Sequence, residues 1–159
     1  MPTRLTTLVY VRRGAYTLML RRTRAHDPLQ GKWNGLGGKL EPGESPEECM
    51  RREVLEESGL SVKEAELKGV ITFPGFDGGT DVFTFVFVVT GFSGEPRSSA
   101  EGDLFWVTTE LLADLDLWEG DRHFLPWLTE PGWFSASFVY SGGRYVSHEV
   151  THYGGNQGP

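Results

Sequence analysis

The chain has 159 residues, 38% of them hydrophobic and 13% aromatic, and a formal net charge of −7. The length favours one domain and the composition supports a core, whereas the negative charge argues against a general nucleic-acid or anionic-membrane surface. The single cysteine, Cys49, excludes an intramolecular disulfide, and no segment has the pattern of a membrane span or signal peptide, so we predict a cytoplasmic protein.

The first elements in the chain are a predicted β-hairpin and a glycine-rich loop. Residues 4–12 (RLTTLVYVR) and 16–22 (YTLMLRR) are typical of strands, and they flank a turn at Arg13-Gly14-Ala15. A polar loop over residues 23–32 leads into Trp33-Asn34-Gly35-Leu36-Gly37-Gly38. Glycines in such a segment allow the backbone to approach a ligand closely.

The next predicted element is a helix over about residues 46–58. Ser45-Pro46-Glu47-Glu48 places a serine at the N-cap, a proline at the first helical position and a glutamate at the third, which makes a capping box. Gly59 is typical of the residue that ends a helix. Cys49 lies inside this helix, where we expect it to be a small buried hydrophobic residue.

The rest of the chain predicts more strands than helices. Segment 81–91 (DVFTFVFVVTG) is apolar nearly throughout, which is typical of a strand covered on both faces. Because the 46–58 helix lies mid-chain between hairpins, we predict an α+β fold with a mixed sheet between helical layers. We expect one domain over residues 1–153 and a flexible tail over 154–159. Further strands are predicted at 62–73, 103–108, 134–140 and 144–151, and short helices at about 109–115 and 121–129.

Three glutamates of the predicted helix share one face close to its C-terminus. Glu53, Glu56 and Glu57 are spaced i, i+3, i+4. Each carboxylate at the negative end of the helix dipole costs about 0.3–1 kcal/mol. A solvated charged face would predict Lys or Arg near the C-terminus, whereas Arg51 and Arg52 precede the cluster. A divalent cation would reverse the penalty, because hard cations bind carboxylate oxygens, so the pattern favours a metal site.

Residues 38–60 (GKLEPGESPEECMRREVLEESGL) fit the pattern G-x5-E-x7-R-E-U-x-E-E-x-G-U, where U is aliphatic. All nine specified positions are present, and through them the chain resembles the Nudix hydrolases. The resemblance implies an α/β/α sandwich with a central mixed β-sheet. It also implies cleavage of a nucleoside diphosphate linked to a further group, with Mg²⁺ as the cofactor and Mn²⁺ as a substitute.

The resemblance also implies roles for residues around the cation. The glutamates would be the catalytic groups, and one of the three on the helix would act as, or orient, the general base. Glu44 and Arg52 would form a supporting salt bridge between the loop and the helix. A further carboxylate would come from the loop before the strand at 103–108, where Glu101 matches the position and Asp103 is the alternative. The implied metal ligands are the carbonyl of Gly37 and the carboxylates of Glu53, Glu56, Glu57 and Glu101.

Outside this motif the chain resembles the MutT-type branch of the family, which hydrolyses oxidised purine nucleoside triphosphates such as 8-oxo-dGTP. Residues 5–9, 31–39 and 116–121 carry this likeness. It implies that an amide and a carboxylate hydrogen-bond the edges of the purine, and that a tryptophan stacks on the base. The implied substrate-binding set is Thr7, Arg21, Asn34, Leu36, Gly37, Gly38, Lys39, Trp118 and Asp121.

Several alternatives stay open. Eukaryotic members of this branch have two adjacent aspartates in the purine-binding loop, whereas here Gly120 precedes Asp121, so recognition of both oxidised adenine and oxidised guanine is in doubt. Trp118 could instead anchor the core, and Asp121 could cap a helix. Pro74 lies roughly where ADP-ribose hydrolases of the family place a proline, so ADP-ribose, a dinucleoside polyphosphate or an RNA 5′ end are alternative substrates.

A different class of protein is a ligand-binding regulator that keeps this fold without catalysis. Such a protein would be expected to lose carboxylates of the motif, and none is lost here. We therefore favour an enzyme that acts on a small nucleotide as a monomer or homodimer. We expect neither nucleic acid nor a membrane as its partner.

Overall fold

The computed structural model describes residues 3–155. Two α-helices are present, α1 (Pro46–Ser58) and α2 (Glu119–Phe124), together with 3₁₀ helices over Thr109–Asp114 and Leu125–Thr129. The strands are β1 (Thr3–Arg13), β2 (Tyr16–Arg22), β3 (Trp33–Asn34), β4 (Ser61–Asp77), β5 (Thr80–Ser93), β6 (Gly102–Thr108), β7 (Trp133–Ser141) and β8 (Arg144–Tyr153).

The strands form one mixed sheet in the order β3-β2-β1-β5-β4-β7-β8, and β6 also pairs with β2. The pairs β1–β5 and β4–β7 are parallel, and the remaining pairs are antiparallel. Chain segments that are distant in sequence therefore meet at the centre of the sheet. The predicted α+β fold with a central mixed sheet is confirmed.

Two apolar cores lie on opposite faces of this sheet. In β5, Phe87 and Val89 pack in the cluster that contains Met50 of α1. Val86 and Val88, which alternate with them, pack in the other cluster, which contains residues of the short helices. Because successive side chains of a strand point to opposite faces, the sheet lies between helical layers. The prediction that segment 81–91 is covered on both faces is confirmed.

Helix α1 begins and ends at the predicted residues. The Ser45 side chain accepts a hydrogen bond from the Glu48 N–H at 3.1 Å, and the Glu48 carboxylate accepts one from the Ser45 N–H at 3.0 Å. Gly59 has a φ of 80° and donates its N–H to the carbonyl of Leu55. These local contacts fix both ends of the helix that carries the carboxylates.

The short helices differ from the prediction. The segment after β6 is a 3₁₀ helix, and the next helix begins at Glu119 rather than near Asp121. It changes to 3₁₀ geometry after Phe124, because Pro126 has no N–H to continue the α-helical hydrogen-bond pattern. Strand β3 was not predicted, since two residues carry no periodicity.

The hairpin of β4 and β5 is longer than predicted. Asp77 pairs with Thr80, and Gly78 and Gly79 both have positive φ angles, as a two-residue hairpin turn with favourable twist requires. No helix within residues 3–155 is long and apolar enough to cross a membrane. The single domain over residues 1–153 stays a prediction, and the part of the predicted tail after Gly155 lies outside the described residues.

Candidate active site

The glycine-rich loop after β3 lies tightly between β1 and α1. Gly37 has a φ of 135°, and a Cβ atom there would collide with the carbonyl oxygen of Thr7. A Cβ atom at Gly38 would lie 2.6 Å from the carboxyl carbon of Glu53. Gly37 therefore has to be glycine, and a side chain at position 38 would displace the Glu53 carboxylate, so the loop backbone lies directly against the helix.

Glu57 is the buried carboxyl group of the site, with 6% of the residue exposed. Its Oε1 accepts a hydrogen bond from the Gly37 N–H at 3.2 Å. Burial, a hydrogen bond with Glu53 and the negative charges of Glu53 and Glu101 raise the pKa of Glu57 to about 9, against the opposing bond from Gly37. The Gly37 backbone and the Glu53 side chain therefore lie against Glu57, and Glu101 is near enough for its charge to act on this carboxyl group.

The predicted salt bridge between Glu44 and Arg52 is present. The Arg52 Nε lies 2.6 Å from Glu44 Oε2, and its Nη2 lies 2.9 Å from Oε1, which is a bidentate contact. The same Nη2 donates to the carbonyl of Lys39 at 3.0 Å. Hydrogen bonding to Arg52 lowers the pKa of Glu44 to about 2. Arg52, which lies in α1, is thus bonded to Lys39 just after the glycine-rich loop and to Glu44 just before the helix.

Glu56 lies apart from the buried carboxyl group, with 58% of its side chain exposed and its Oε2 3.3 Å from Arg52 Nη1. The same Nη1 donates to Glu53 Oε1 at 2.8 Å. Within residues 3–155, no three His, Cys, Asp or Glu side chains converge in a metal-ligand arrangement. Arg52 thus contacts both Glu53 and Glu56, and this contact draws Glu56 toward Arg52. Oxygen donors of this kind nevertheless fit a hard divalent cation.

A separate cavity of about 150 Å³ opens on the other face of the sheet. Trp118 forms one wall and lies edge-to-face with Phe76 at 5.6 Å and with Tyr140 at 5.7 Å. The Nζ of Lys32 lies 6.0 Å from the centre of the Trp118 ring. The residues lining this aromatic pocket are Phe73, Phe76, Val82, Thr84, Trp118, Asp121 and Tyr140.

Asp121 is the one acidic residue lining the aromatic pocket, and 8% of it is exposed. Its carboxylate has no hydrogen-bond partner in the described part of the chain. Burial raises the pKa of Asp121 to about 7, although the charges of Arg122 and Lys32 oppose this. Asp121 does not cap α2, because the N-cap residue is Trp118 and no side chain caps the helix. A buried acid without a partner is costly unless a ligand supplies one.

Sequence reasoning missed three aromatic residues of the pocket: Phe73, Phe76 and Tyr140. They come from β4 and from the end of β7, which become neighbours only through the parallel β4–β7 pairing. Gly120 also contacts this wall, since its N–H donates to the Tyr140 Oη at 2.7 Å. The concentration of aromatic residues in these segments is the signal that could have indicated them.

The structure does not place Thr7 in the aromatic pocket, which corrects that expectation. Side chains of β1 alternate, and the Thr7 hydroxyl lies on the α1 side, 3.4 Å from the sulfur of Cys49. The neighbouring Thr6 instead hydrogen-bonds Thr84 at 2.8 Å, and Thr84 lines the pocket.

Leu36, which the resemblance placed among the substrate-binding residues, belongs to the core of the protein. Its side chain is fully buried in the core against α1. Its N–H and carbonyl both pair with Val9, at 2.9 Å and 2.7 Å. Because neither its side chain nor its backbone is available, Leu36 can support the site only by holding the loop against β1.

The other predicted substrate-binding residues lie around the loop rather than in the aromatic pocket. Lys39 is exposed beside the loop, and Arg21 is exposed on β2, where its backbone pairs with Trp33 and Asp103. The Oδ1 atom of Asn34 is buried and has no hydrogen-bond partner among the described residues. Within residues 3–155 this amide oxygen is therefore an unused hydrogen-bond acceptor, although it is buried and Asn34 does not line the aromatic pocket.

Comparison with known proteins identifies the family of this chain. Residues 2–128 match the NUDIX domain. The chain therefore belongs to the Nudix family, and its fold and carboxylate helix make it a hydrolase of MutT type.

Individual relatives and solved structures are similar to most of this chain. The chain is 35% identical over 113 residues to an oxidized purine nucleoside triphosphate hydrolase of Danio rerio, covering 70% of this chain and 72% of that protein. It is 34% identical to the Nudix hydrolase YvcI of Bacillus subtilis, covering 72% and 75%. The crystal structure of a MutT protein from Bacillus halodurans superposes with a TM-score of 0.81 at 30% identity, covering 92% of this chain and 97% of that one.

Proposed function

We propose that this chain hydrolyses oxidised purine nucleoside triphosphates, such as 8-oxo-dGTP, to the nucleoside monophosphate and pyrophosphate. The observation that carries this proposal is the aromatic pocket, in which the unpaired acid Asp121 lies beside Trp118. Such a pocket offers a flat apolar surface for a base and a buried group that demands a hydrogen-bond partner. The relatives named for oxidised purine nucleotides support the same substrate class.

The proposed cofactor is Mg²⁺, held by the carbonyl of Gly37 and the carboxylates of Glu53, Glu56, Glu57 and Glu101. When bound, the cation supplies charge neutralisation for the phosphates and a lower pKa for bound water. Burial and the negative charges of Glu53 and Glu101 raise the pKa of Glu57, and a cation would offset those charges, which supports the fit. Glu53 and Glu57 are the candidates to take the proton from the attacking water, and Glu44 and Arg52 hold the loop and helix in register.

Base recognition is proposed to use three side chains. Trp118 would stack on the purine, and Asp121 would hydrogen-bond its Watson–Crick edge. Oxidation at C8 converts N7 of guanine from an acceptor to an N–H donor, and the buried Oδ1 of Asn34, which has no partner among residues 3–155, is a suitable acceptor for it. Lys39 and Arg21 are exposed cations that would attract the phosphates to an otherwise acidic protein.

ADP-ribose is less well supported as a substrate. Pro74, the residue that suggested it, lies within β4 between Phe73 and Phe76, and both of these line the aromatic pocket. Pro74 therefore belongs to the strand that forms one wall of the aromatic pocket, and this position alone does not indicate an ADP-ribose site. We also propose a cytoplasmic monomer or homodimer without a nucleic-acid partner.

The direct test is a hydrolysis panel with Mg²⁺, comprising 8-oxo-dGTP, dGTP, ADP-ribose, a dinucleoside polyphosphate and triphosphorylated RNA. We expect the highest kcat/KM for the oxidised triphosphate, with monophosphate and pyrophosphate as the only products. Glu57→Gln is the matched control against a contaminating phosphatase. Release of diphosphate and inorganic phosphate, or a clear preference for another member of the panel, would contradict the proposal.

A further inference from the structure

The hydroxyl of Tyr140 occupies the place where a side chain at position 120 would lie. It accepts a hydrogen bond from the Gly120 N–H at 2.7 Å. A Cβ atom at position 120 would lie 2.6 Å from this hydroxyl and 3.0 Å from Cδ2 of Phe138. Gly120 is therefore required by the position of Tyr140, and the pocket contains a phenol beside Asp121 in place of a second acidic side chain.

The hydrogen of this hydroxyl is available to a ligand. Within residues 3–155, the one hydrogen bond of the Tyr140 hydroxyl is the bond that it accepts from Gly120. Burial raises the pKa of Tyr140 to about 12, so the group stays protonated at neutral pH. Because one lone pair already receives an N–H, the remaining O–H is polarised toward donating.

The Tyr140 ring is held in a fixed orientation. It lies edge-to-face with Phe76 at 5.3 Å and 88°, with Trp118 at 5.7 Å and 84°, and with Tyr145 at 6.2 Å and 79°. Both Phe76 and Trp118 line the aromatic pocket. The hydroxyl thus has a defined place in the wall beside Asp121, the residue proposed to read the purine edge.

We infer that Tyr140 is a specificity-determining residue that donates a hydrogen bond to the 6-oxo group of the substrate base. This inference rests on the proposed function and narrows its substrate class to 6-oxo purines, namely oxidised guanine or hypoxanthine. A 6-amino purine presents an N–H donor at that position. To accept a hydrogen bond from this amino group, the Tyr140 hydroxyl would have to turn its own hydrogen away from the ligand. No residue within 3–155 accepts a hydrogen bond from this hydroxyl, so a buried O–H would be left unpaired.

The test is equilibrium binding of three product nucleotides in Mg²⁺: 8-oxo-dGMP, 8-oxo-dIMP and 8-oxo-dAMP. The inosine and adenosine forms both lack the 2-amino group, so they differ only at position 6 and in the linked protonation of N1. The effect of Tyr140→Phe on this difference separates position 6, which Tyr140 would contact, from N1, which Asp121 would contact. We expect the wild-type protein to bind both 6-oxo nucleotides at least about tenfold more tightly than 8-oxo-dAMP. Tyr140→Phe should weaken both 6-oxo nucleotides about tenfold and leave 8-oxo-dAMP nearly unchanged.

Tyr145→Phe is the matched control, because its hydroxyl contacts Nδ1 of His148 at 2.7 Å and does not line the aromatic pocket. This control should bind all three nucleotides like wild type. Gly120→Ala is a second variant, since its Cβ atom would displace the same hydroxyl, and it should lower the 6-oxo preference even where Tyr140→Phe fails to fold.

Three results overturn the inference. In the first, Tyr140→Phe weakens the binding of all three nucleotides equally. In the second, it weakens the binding of none of them. Both results leave the proposed function intact if the wild-type protein binds 8-oxo-dGMP tightly. The third is a wild-type protein that binds none of the three nucleotides, which removes the proposed function as well.

Discussion

The backbone N–H of Gly37 donates a hydrogen bond to the carboxylate of Glu57 at 3.2 Å. This contact joins the loop after β3 to the last turn of α1, which are twenty residues apart in sequence. It holds the backbone of Gly37 against the Glu57 carboxyl group, the two residues that we propose as neighbouring ligands of one cation. The catalytic proposals below depend on this junction.

Activity is predicted to require a divalent cation, because carboxylate oxygens are the ligands that hard cations bind, and Arg52 offsets only part of the negative charge around Glu57. Exhaustive chelation should abolish turnover, and Mg²⁺ or Mn²⁺ should restore it. The same cations should raise the Tm of the protein, since a ligand that binds the native state stabilises it. Full activity in the chelated protein would rule out the metal site.

Glu57→Gln and Glu53→Gln are each predicted to lower kcat by at least about a hundredfold, the scale of losing a general base or a metal ligand. The substitution keeps the shape of the side chain and replaces a carboxylate ligand by a neutral amide, so the fold should survive while cation binding and proton transfer weaken. Turnover is measured with 8-oxo-dGTP, and folding by circular dichroism. Glu47→Gln, in the exposed first turn of the same helix, is the control and should retain wild-type turnover.

Arg52→Lys is predicted to lower kcat/KM by about ten- to a hundredfold, because lysine cannot make the bidentate contact to Glu44 while also bonding the Lys39 carbonyl. The loop that carries Gly37 should then lose its register with α1, and the Tm should fall. Arg51→Lys is the matched control, since Arg51 is the adjacent residue on the exposed face of the helix. Equal behaviour of the two variants would show that the Arg52 contacts do not position the site.

The stability of the apo protein is predicted to depend on pH through Asp121. Burial raises its folded-state pKa from 3.8 to about 7, so between these values the folded state binds more protons than the unfolded state. This contribution to stability is therefore lost as pH rises from about 4 to about 7. Asp121→Asn should remove that dependence and gain as much as a few kcal/mol relative to wild type at pH 8, but not at pH 4. Chemical denaturation at the two pH values measures the difference, and parallel pH profiles of the two proteins would contradict it.

The parts of the structure that follow from local chemistry were predictable. Ser45 and Gly59 mark the ends of α1 because capping is decided within four residues of each end. The positions of Glu53, Glu56 and Glu57 on one helix face follow from their i, i+3, i+4 spacing, which is also a local property of the sequence. The glycines at positions 37 and 38 indicated close backbone approach, and the structure contains it.

What depends on long-range packing was not predictable. The sequence shows that residues 4–12 form a strand, but not which face of β1 adjoins the aromatic pocket, so Thr7 was chosen where Thr6 contacts Thr84. The place of Tyr140 depends on the parallel pairing of β7 with β4, which no local pattern encodes. The orientation of Glu56 toward Arg52 rather than Glu57 is a similar effect of competing charges.

The central claim is that the pocket recognises an oxidised purine, and the ratio of kcat/KM for 8-oxo-dGTP to that for dGTP tests it most directly. A mismatched buried polar group costs about 1–3 kcal/mol, so the ratio should be at least about tenfold. Asn34→Ala and Asp121→Ala should reduce it while phosphate cleavage continues. Equal hydrolysis of the two nucleotides, or a clear preference for ADP-ribose, would show that the aromatic pocket serves another ligand.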